Sequence, residues 1–159
     1  MSPRAAWRLE SLGFGEVYEY RGGKLDWMAA GLPTEGTNAK RPRAGSLARA
    51  DVPTCRLDER RADLAARVRA AGWSQCVVVD DDRVVLGLLE GEALDGGAAT
   101  AADAMREGPT TIRPHVTLDD TVISLAAHRH EQVLVTTSDG RLVGLLRRAD
   151  AERRLSTAA

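Results

Sequence analysis

Gly140-Arg141-Leu142-Val143-Gly144-Leu145-Leu146-Arg147-Arg148-Ala149-Asp150 is the stretch on which the reading of this chain turns. Asp139-Gly140 is a tight-turn pair, and the apolar run 142–146 behind it predicts a short strand. Gly144 interrupts that strand as a close-approach glycine. Asp150 follows where a charged helix begins, and there a carboxylate opposes the helix dipole. Strand, glycine, helix N-terminus and carboxylate together suit the holding of a small polar ligand against a sheet edge.

The same pattern occurs once more, 57 residues earlier. Gly87 falls on Gly144, Leu88-Leu89 on Leu145-Leu146, Val78 on Val135 and Gln75 on Gln132. Thr54 and Arg56 fall on Thr111 and Arg113 without a gap. Each unit reads strand, helix, strand, tight turn, strand, helix. Two copies of one supersecondary unit pack on each other because neither buries its apolar face alone. The expected fold is therefore α+β, a pseudo-symmetric pair whose short sheets face each other rather than form one continuous sheet.

At these residues the chain resembles a tandem pair of cystathionine-β-synthase (CBS) domains, with β-α-β-β-α units. The resemblance rests on Thr111-Ile112-Arg113-Pro114, Gln132-Val133-Leu134-Val135, the run from Gly140 to Leu146, and Asp150. It places a degenerate first unit at 51–96 and a second unit at 100–157. Such pairs are regulatory modules, and many hold adenosine-containing ligands in the cleft between units. In those, a Ser or Thr stands three residues before an Asp that accepts hydrogen bonds from the ribose hydroxyls. An ionised carboxylate suits this, since it offers two oxygens and only accepts. Here Asp150 is kept, and Arg147 replaces the hydroxyl residue, where it would face a phosphate bidentately. The resemblance further implies an adenine slot lined by Thr111 and Ile112 through their backbone, with Val133 and Val135 as its wall. The residue-by-residue alternative is plainer: Asp150 caps a helix, and Thr111, Ile112, Val133 and Val135 are strand core. The first unit has Glu90 and Ala93 at the matching positions, so it lacks the ribose carboxylate, and Glu90 would repel a phosphate.

Five of the six aromatic residues lie in the first 27 positions: Trp7, Phe14, Tyr18, Tyr20 and Trp27. That shift marks a separate unit at 1–36, with a helix over 3–12, a short strand over 16–20 and a brief helix over 26–30. Leu12-Gly13-Phe14-Gly15-Glu16-Val17-Tyr18, Gly22-Gly23-Lys24-Leu25-Asp26-Trp27 and Ala30-Gly31-Leu32-Pro33 resemble the C-terminal end of a rhodanese-like domain. In that family a nucleophilic cysteine precedes the first of these helices; here only Met1 and Ser2 do. The expectation is a start that clips a larger domain, and no catalysis within these residues. Residues 37–50 read as a basic, solvated linker carrying Lys40, Arg41, Arg43 and Arg49.

The net charge is −1, which offers no global attraction to nucleic acid. No apolar run is long enough to span a membrane, and no signal sequence opens the chain, so the expected location is the cytoplasm. Cys55 and Cys76 align with Ile112 and Val133 and read as small core residues. Asp80-Asp81-Asp82 reads as a polar turn, not a metal site. His128 and His130, two apart on a helix continuing to 130, would not share a face. Three functions remain open. One is a non-catalytic regulatory module whose second unit takes AMP, ADP, ATP or S-adenosylmethionine. Another is a rhodanese-like sulfurtransferase whose catalytic cysteine lies upstream. The third is a structural dimerisation module with a decayed site. A homodimer through the repeat faces is expected of the pair, since 118–127 is apolar on more than one side.

Overall fold

The sequence repeat becomes a structural repeat element by element. A computed structural model describes residues 3–37, 39–95 and 100–158. Two helices, α1 (Pro3–Ser11) and α2 (Gly23–Ala29), come first. The first unit follows as α3 (Ala44–Leu47), β1 (Thr54–Cys55), α4 (Arg61–Ala70), β2 (Gln75–Val79), β3 (Val85–Glu90) and α5 (Glu92–Asp95). The second is α6 (Ala101–Ala104), β4 (Arg106–Glu107), β5 (Thr111–Ile112), α7 (Leu118–Ala127), β6 (Gln132–Thr136), β7 (Leu142–Arg147) and α8 (Arg148–Ala158). From α3 to β3, each element recurs at the offset of 57, except that β4 has only a single bridge as its first-unit counterpart. Even the register irregularities match, at Val78/Val79 and Val135/Thr136.

Local chemistry explains the elements. In α7, Thr117 caps the N-terminus by accepting from the Asp120 N–H at 3.3 Å, and Asp119 and Asp120 lie in the first turn. Leu118, Thr121 and Leu125 form its buried stripe. All five residues of β2 are buried, as for a strand covered on both faces. β1 and β5 pair in parallel with β2 and β6 across the α4 and α7 crossovers, while β2–β3 and β6–β7 are antiparallel hairpins.

Two separate sheets result, β1-β2-β3-β4 and β5-β6-β7, as the repeat predicts. Leu134, Leu142 and Leu145 of the second unit share one core with Leu64, Val68, Val77 and Leu89 of the first. Repeat-equivalent residues meet at the pseudo-twofold axis. The Gln75 side chain donates to Gln132 Oε1 at 2.9 Å. At the other end Val84 bridges Arg141, with the paired bonds Val85 N–H to Gly140 O (3.1 Å) and Leu142 N–H to Arg83 O (2.9 Å).

The units also exchange their lead segments, which the sequence reading did not foresee. Met105 of the second unit packs on Gly87, and β4 pairs with β3. Reciprocally, Ala44 is fully buried in the second unit's core, and Arg49 pairs with Leu145 through bonds of 2.9 and 3.0 Å. Residues 44–49 are thus not a solvated tether. Ala44, Leu47 and Ala48 have the spacing of an apolar helix face, but the surrounding cations hide it.

Before this body the expectation holds less well. Residues 16–20 form no strand, because no partner strand stands beside them. Neither α1 nor α2 buries a residue. Trp7, Leu12, Phe14, Tyr18 and Leu25 are exposed. Tyr20 and Trp27 meet edge to face at 5.3 Å, and Asp26 Oδ1 accepts from Ser138 Oγ at 2.6 Å on the β6–β7 turn. The rhodanese-like sheet is not formed by the described residues.

Candidate functional site

The side chains of β7 alternate between two environments. Leu146, paired with Val133, lies with Val135, Leu118, Leu125 and Ala151 in the core under the helices. Leu145 lies in the core shared with the first unit, and Arg147, one period on, points the same way. Its guanidinium carbon stands 5.1 Å over the Trp73 ring. Arg49 stands over the same ring at 4.2 Å, reaching it from the exchanged segment. Arg49 also donates bidentately to Asp51 at 3.1 and 2.6 Å. That hydrogen bonding holds the Asp51 carboxyl below its ordinary range, with a smaller contribution from the Trp73 side chain. Asp150 sits in the first turn of α8, 30 % exposed, with Arg153 at 3.2 Å. Arg147 makes no ion pair with the described residues, and the Asp150 charge is also felt by Arg49.

The six residues expected at the site therefore do not converge. Arg147 and Asp150 share the β7–α8 junction. Val133 and Val135 lie on the opposite face of the sheet as core, Ile112 packs against that same core, and Thr111 is exposed in the edge strand β5. The reason is register. Gln132, not Val133, is paired with Arg147, so the valines cannot wall the cleft that Arg147 faces. What Arg147 faces comes from the first unit: Trp73, a ring it shares with Arg49 of the lead segment, which Asp51 holds. The signal for them was present, since Trp73 is the sixth aromatic residue and the offset puts it on His130 and Arg49 on Arg106.

At the pseudo-equivalent junction of the first unit lies a cavity of about 230 Å³ lined by Glu90, Arg106, Pro109, Thr110, His130 and Gln132 among others. Arg106 neutralises Glu90 at 3.0 Å. A hollow of about 480 Å³ shares Glu90, Glu131 and Gln132 with it and reaches Trp73. Glu131 is paired with Arg148 at 2.8 Å.

His128 and His130 are exposed, as expected, but they do come to share a side. Helix α7 ends at Ala127, Arg129 takes φ 56°, and the two rings stack with centroids 6.2 Å apart. Helical spacing no longer applies past the cap. Cys55 and Cys76 are buried, as their apolar alignment suggested, and the Cys55 thiol is pushed up by its hydrogen bond with Cys76 and by burial. Asp80 Oδ1 accepts from the Asp82 and Val84 N–H groups at 3.0 and 2.8 Å, a side-chain-closed turn. Among the described residues no group of three or more His, Cys, Asp or Glu is placed to hold a metal ion, and no helix is long and apolar enough to cross a membrane.

Residues 101–157 match the family model for the CBS domain. No curated protein matches the chain. Solved structures do. The CBS-pair protein CBSX2 from Arabidopsis thaliana is 17 % identical over 75 % of this chain and 97 % of its own, with a TM-score of 0.64. Its complex with AMP gives 18 %, 74 %, 98 % and 0.65. The cytosolic domain of the Mg2+ channel MgtE in complex with ATP is 19 % identical over 73 % of this chain, with a TM-score of 0.65, and this chain covers 50 % of that one. A CBS domain pair in complex with 5′-methylthioadenosine and S-adenosyl-L-methionine is 14 % identical over 75 % of this chain and 99 % of its own, at 0.63. At these identities the likeness shows the fold, which is that of a CBS domain pair.

Proposed function

We propose that this chain is a non-catalytic regulatory module that takes an adenosine-containing ligand, an adenine nucleotide or S-adenosylmethionine, in the inter-unit cleft at the β7–α8 junction of its second unit. One observation carries the reading: Asp150 and Arg147, which makes no ion pair with the described residues, lie three residues apart where strand gives way to helix, and the Asp150 charge is felt by Arg49, the second cation over the ring that Arg147 faces. Asp150 accepts from the ribose hydroxyls and Arg147 meets phosphate, with the base directed toward the first unit. The adenosine ligands of similarly folded pairs support it. Isothermal titration tests it. AMP, ADP or ATP should bind more tightly than adenosine, and less so as salt rises, because the charge contact is screened. Asp150→Ala should cost about 2 kcal/mol, roughly thirtyfold, as for lost charge-assisted hydrogen bonds. No heat with any of these ligands at millimolar concentration refutes the reading.

The ion pair of Asp150 with Arg153 favours a second reading, a structural module in which Asp150 only stabilises α8. There Asp150→Ala lowers the melting temperature, and nucleotide changes that of neither protein. In both readings the module forms a cytoplasmic homodimer through the repeat faces. Ile123, 68 % exposed on α7, supports this, and light scattering at the monomer mass over a wide concentration range counts against it. Residues 1–36 stay in the proposal as a rhodanese-like element, supported by the residue resemblance over 12–33. The described residues should show no thiosulfate:cyanide sulfurtransferase turnover. Turnover abolished by Cys55→Ser or Cys76→Ser would overturn that.

A further inference from the structure

The two inter-unit junctions are built from equivalent positions and end in different states. Shifting the lining of the first-unit cavity back by 57 converts Arg106 to Arg49, His130 to Trp73 and Gln132 to Gln75. Shifting Glu90 forward gives Arg147. In the first-unit junction these positions surround open space, because Glu90 and Arg106 neutralise each other at its edge and His130 is exposed. In the second-unit junction Arg49 and Arg147 converge on an indole. Trp73 is only 4 % exposed, and both guanidinium groups lie over its ring. Arg49 is itself fastened twice, to Leu145 through the backbone and to Asp51 through the side chain. A planar, cation-capped indole at the margin of the shared core thus occupies the place where the other junction has a cavity.

We propose that Trp73 is an internal occupant of the second-unit cleft, so that a ligand reaching Asp150 must first displace the indole from under Arg49 and Arg147. This rests on the reading of Asp150 and Arg147 as ligand contacts. The ligand's planar base takes the place of the indole, and its phosphates take the guanidinium groups that the indole releases. Affinity is then lowered by the fraction of molecules in which the indole is out.

Two measurements test the gate. Trp73→His installs the residue that the second unit carries at the equivalent position; Trp73→Ala removes the ring. Both should bind ADP at least about tenfold more tightly than the unaltered chain by isothermal titration, as expected when the closed state no longer competes. The second uses Trp73 itself, in a Trp7→Phe/Trp27→Phe background that leaves it as the single tryptophan. Acrylamide quenching should be weak without ligand and rise severalfold at saturating ADP. Equal or weaker ADP binding by the variants overturns the gate and leaves the ligand reading standing. So does an indole that stays shielded at saturation. If neither the unaltered chain nor the variants bind, the ligand reading and the gate fall together.

Discussion

Adding one methyl group at Gly144 should separate the two units' dependence on their exchanged segments. A Cβ built there lies 2.6 Å from the Arg49 carbonyl oxygen, 2.8 Å from its carbon and 3.2 Å from the Ala48 carbonyl carbon. All three are backbone atoms held by the paired bonds to Leu145, so rotamer adjustment cannot relieve the clash. Either β7 or the exchanged segment must move. Moving it weakens two backbone hydrogen bonds, each worth about 1 kcal/mol, and adds the strain of overpacking, typically 1–3 kcal/mol. Gly144→Ala should therefore cost about 3 kcal/mol, which for a chain this size lowers the melting temperature by roughly 6–12 °C. Gly87 is its repeat equivalent. There the clash, 2.5 Å to Sδ and 2.8 Å to Cγ, is with the Met105 side chain, which has three rotatable bonds with which to withdraw. Gly87→Ala should cost about 1 kcal/mol or less. Calorimetry of both variants decides. Gly144→Ala within a degree of the unaltered chain, or Gly87→Ala the worse of the two, would refute the exchange as described.

Two further outcomes follow from the same geometry. Arg83 (φ 63°) and Arg129 (φ 56°) take the left-handed conformation that Gly140 (φ 86°) and Gly72 (φ 75°) take at the equivalent positions. Arg129→Gly or Arg83→Gly should raise stability by about 0.5–1 kcal/mol, read as a higher denaturation midpoint, because relief of the left-handed strain outweighs glycine's added chain entropy. The Asp26 carboxyl is held below its usual range by hydrogen bonds from Ser138 and then Tyr20. Its folded value is depressed, so its contribution is present above the unfolded carboxylate value and is lost as pH falls through the folded one. Ser138→Ala should move the Asp26 titration upward by NMR. An unchanged titration would mean that α2 does not dock on the β6–β7 turn in solution.

Local periodicity and the offset were enough to foresee β1 to β3, β5 to β7 and the facing sheets, because those elements are specified by apolar runs and tight turns that recur. Gly144 shows the limit of that reading. Its need for a close neighbour was legible, but the neighbour is the backbone of Arg49, not a ligand. Nothing in the sequence around Gly144 names a segment 95 residues away. The same non-local pairing hid the site. Val133 and Val135 looked like a slot because they neighbour Gln132 in sequence, whereas register decides the face, and the face opposite Arg147 belongs to the other unit. The short strand expected over 16–20 failed for the converse reason: alternation without a partner strand makes no sheet.

Duplication gives the molecule two junctions of the same geometry, so the differences between them are chemical. Glu90 against Arg147 reverses a charge at one position; Ala93 against Asp150 removes a carboxylate at another; His130 against Trp73 exchanges an exposed imidazole for a buried indole. Each change has the same sense. The first-unit junction has an internally neutralised edge and open space, and it lacks the group that would grip a ribose. The second-unit junction keeps the carboxylate, gains the cation and is filled. Decay of a single ancestral site would scatter losses over both junctions with no correlation between charge and filling. The charged groups proposed to recognise a nucleotide instead coincide with the junction where a buried planar ring lies under two guanidinium groups. Double substitution therefore separates the two accounts. Trp73→His with Asp150→Ala should bind ADP no better than Asp150→Ala alone if the indole only guards the carboxylate, and should bind it better if the opened space binds nucleotide without the carboxylate.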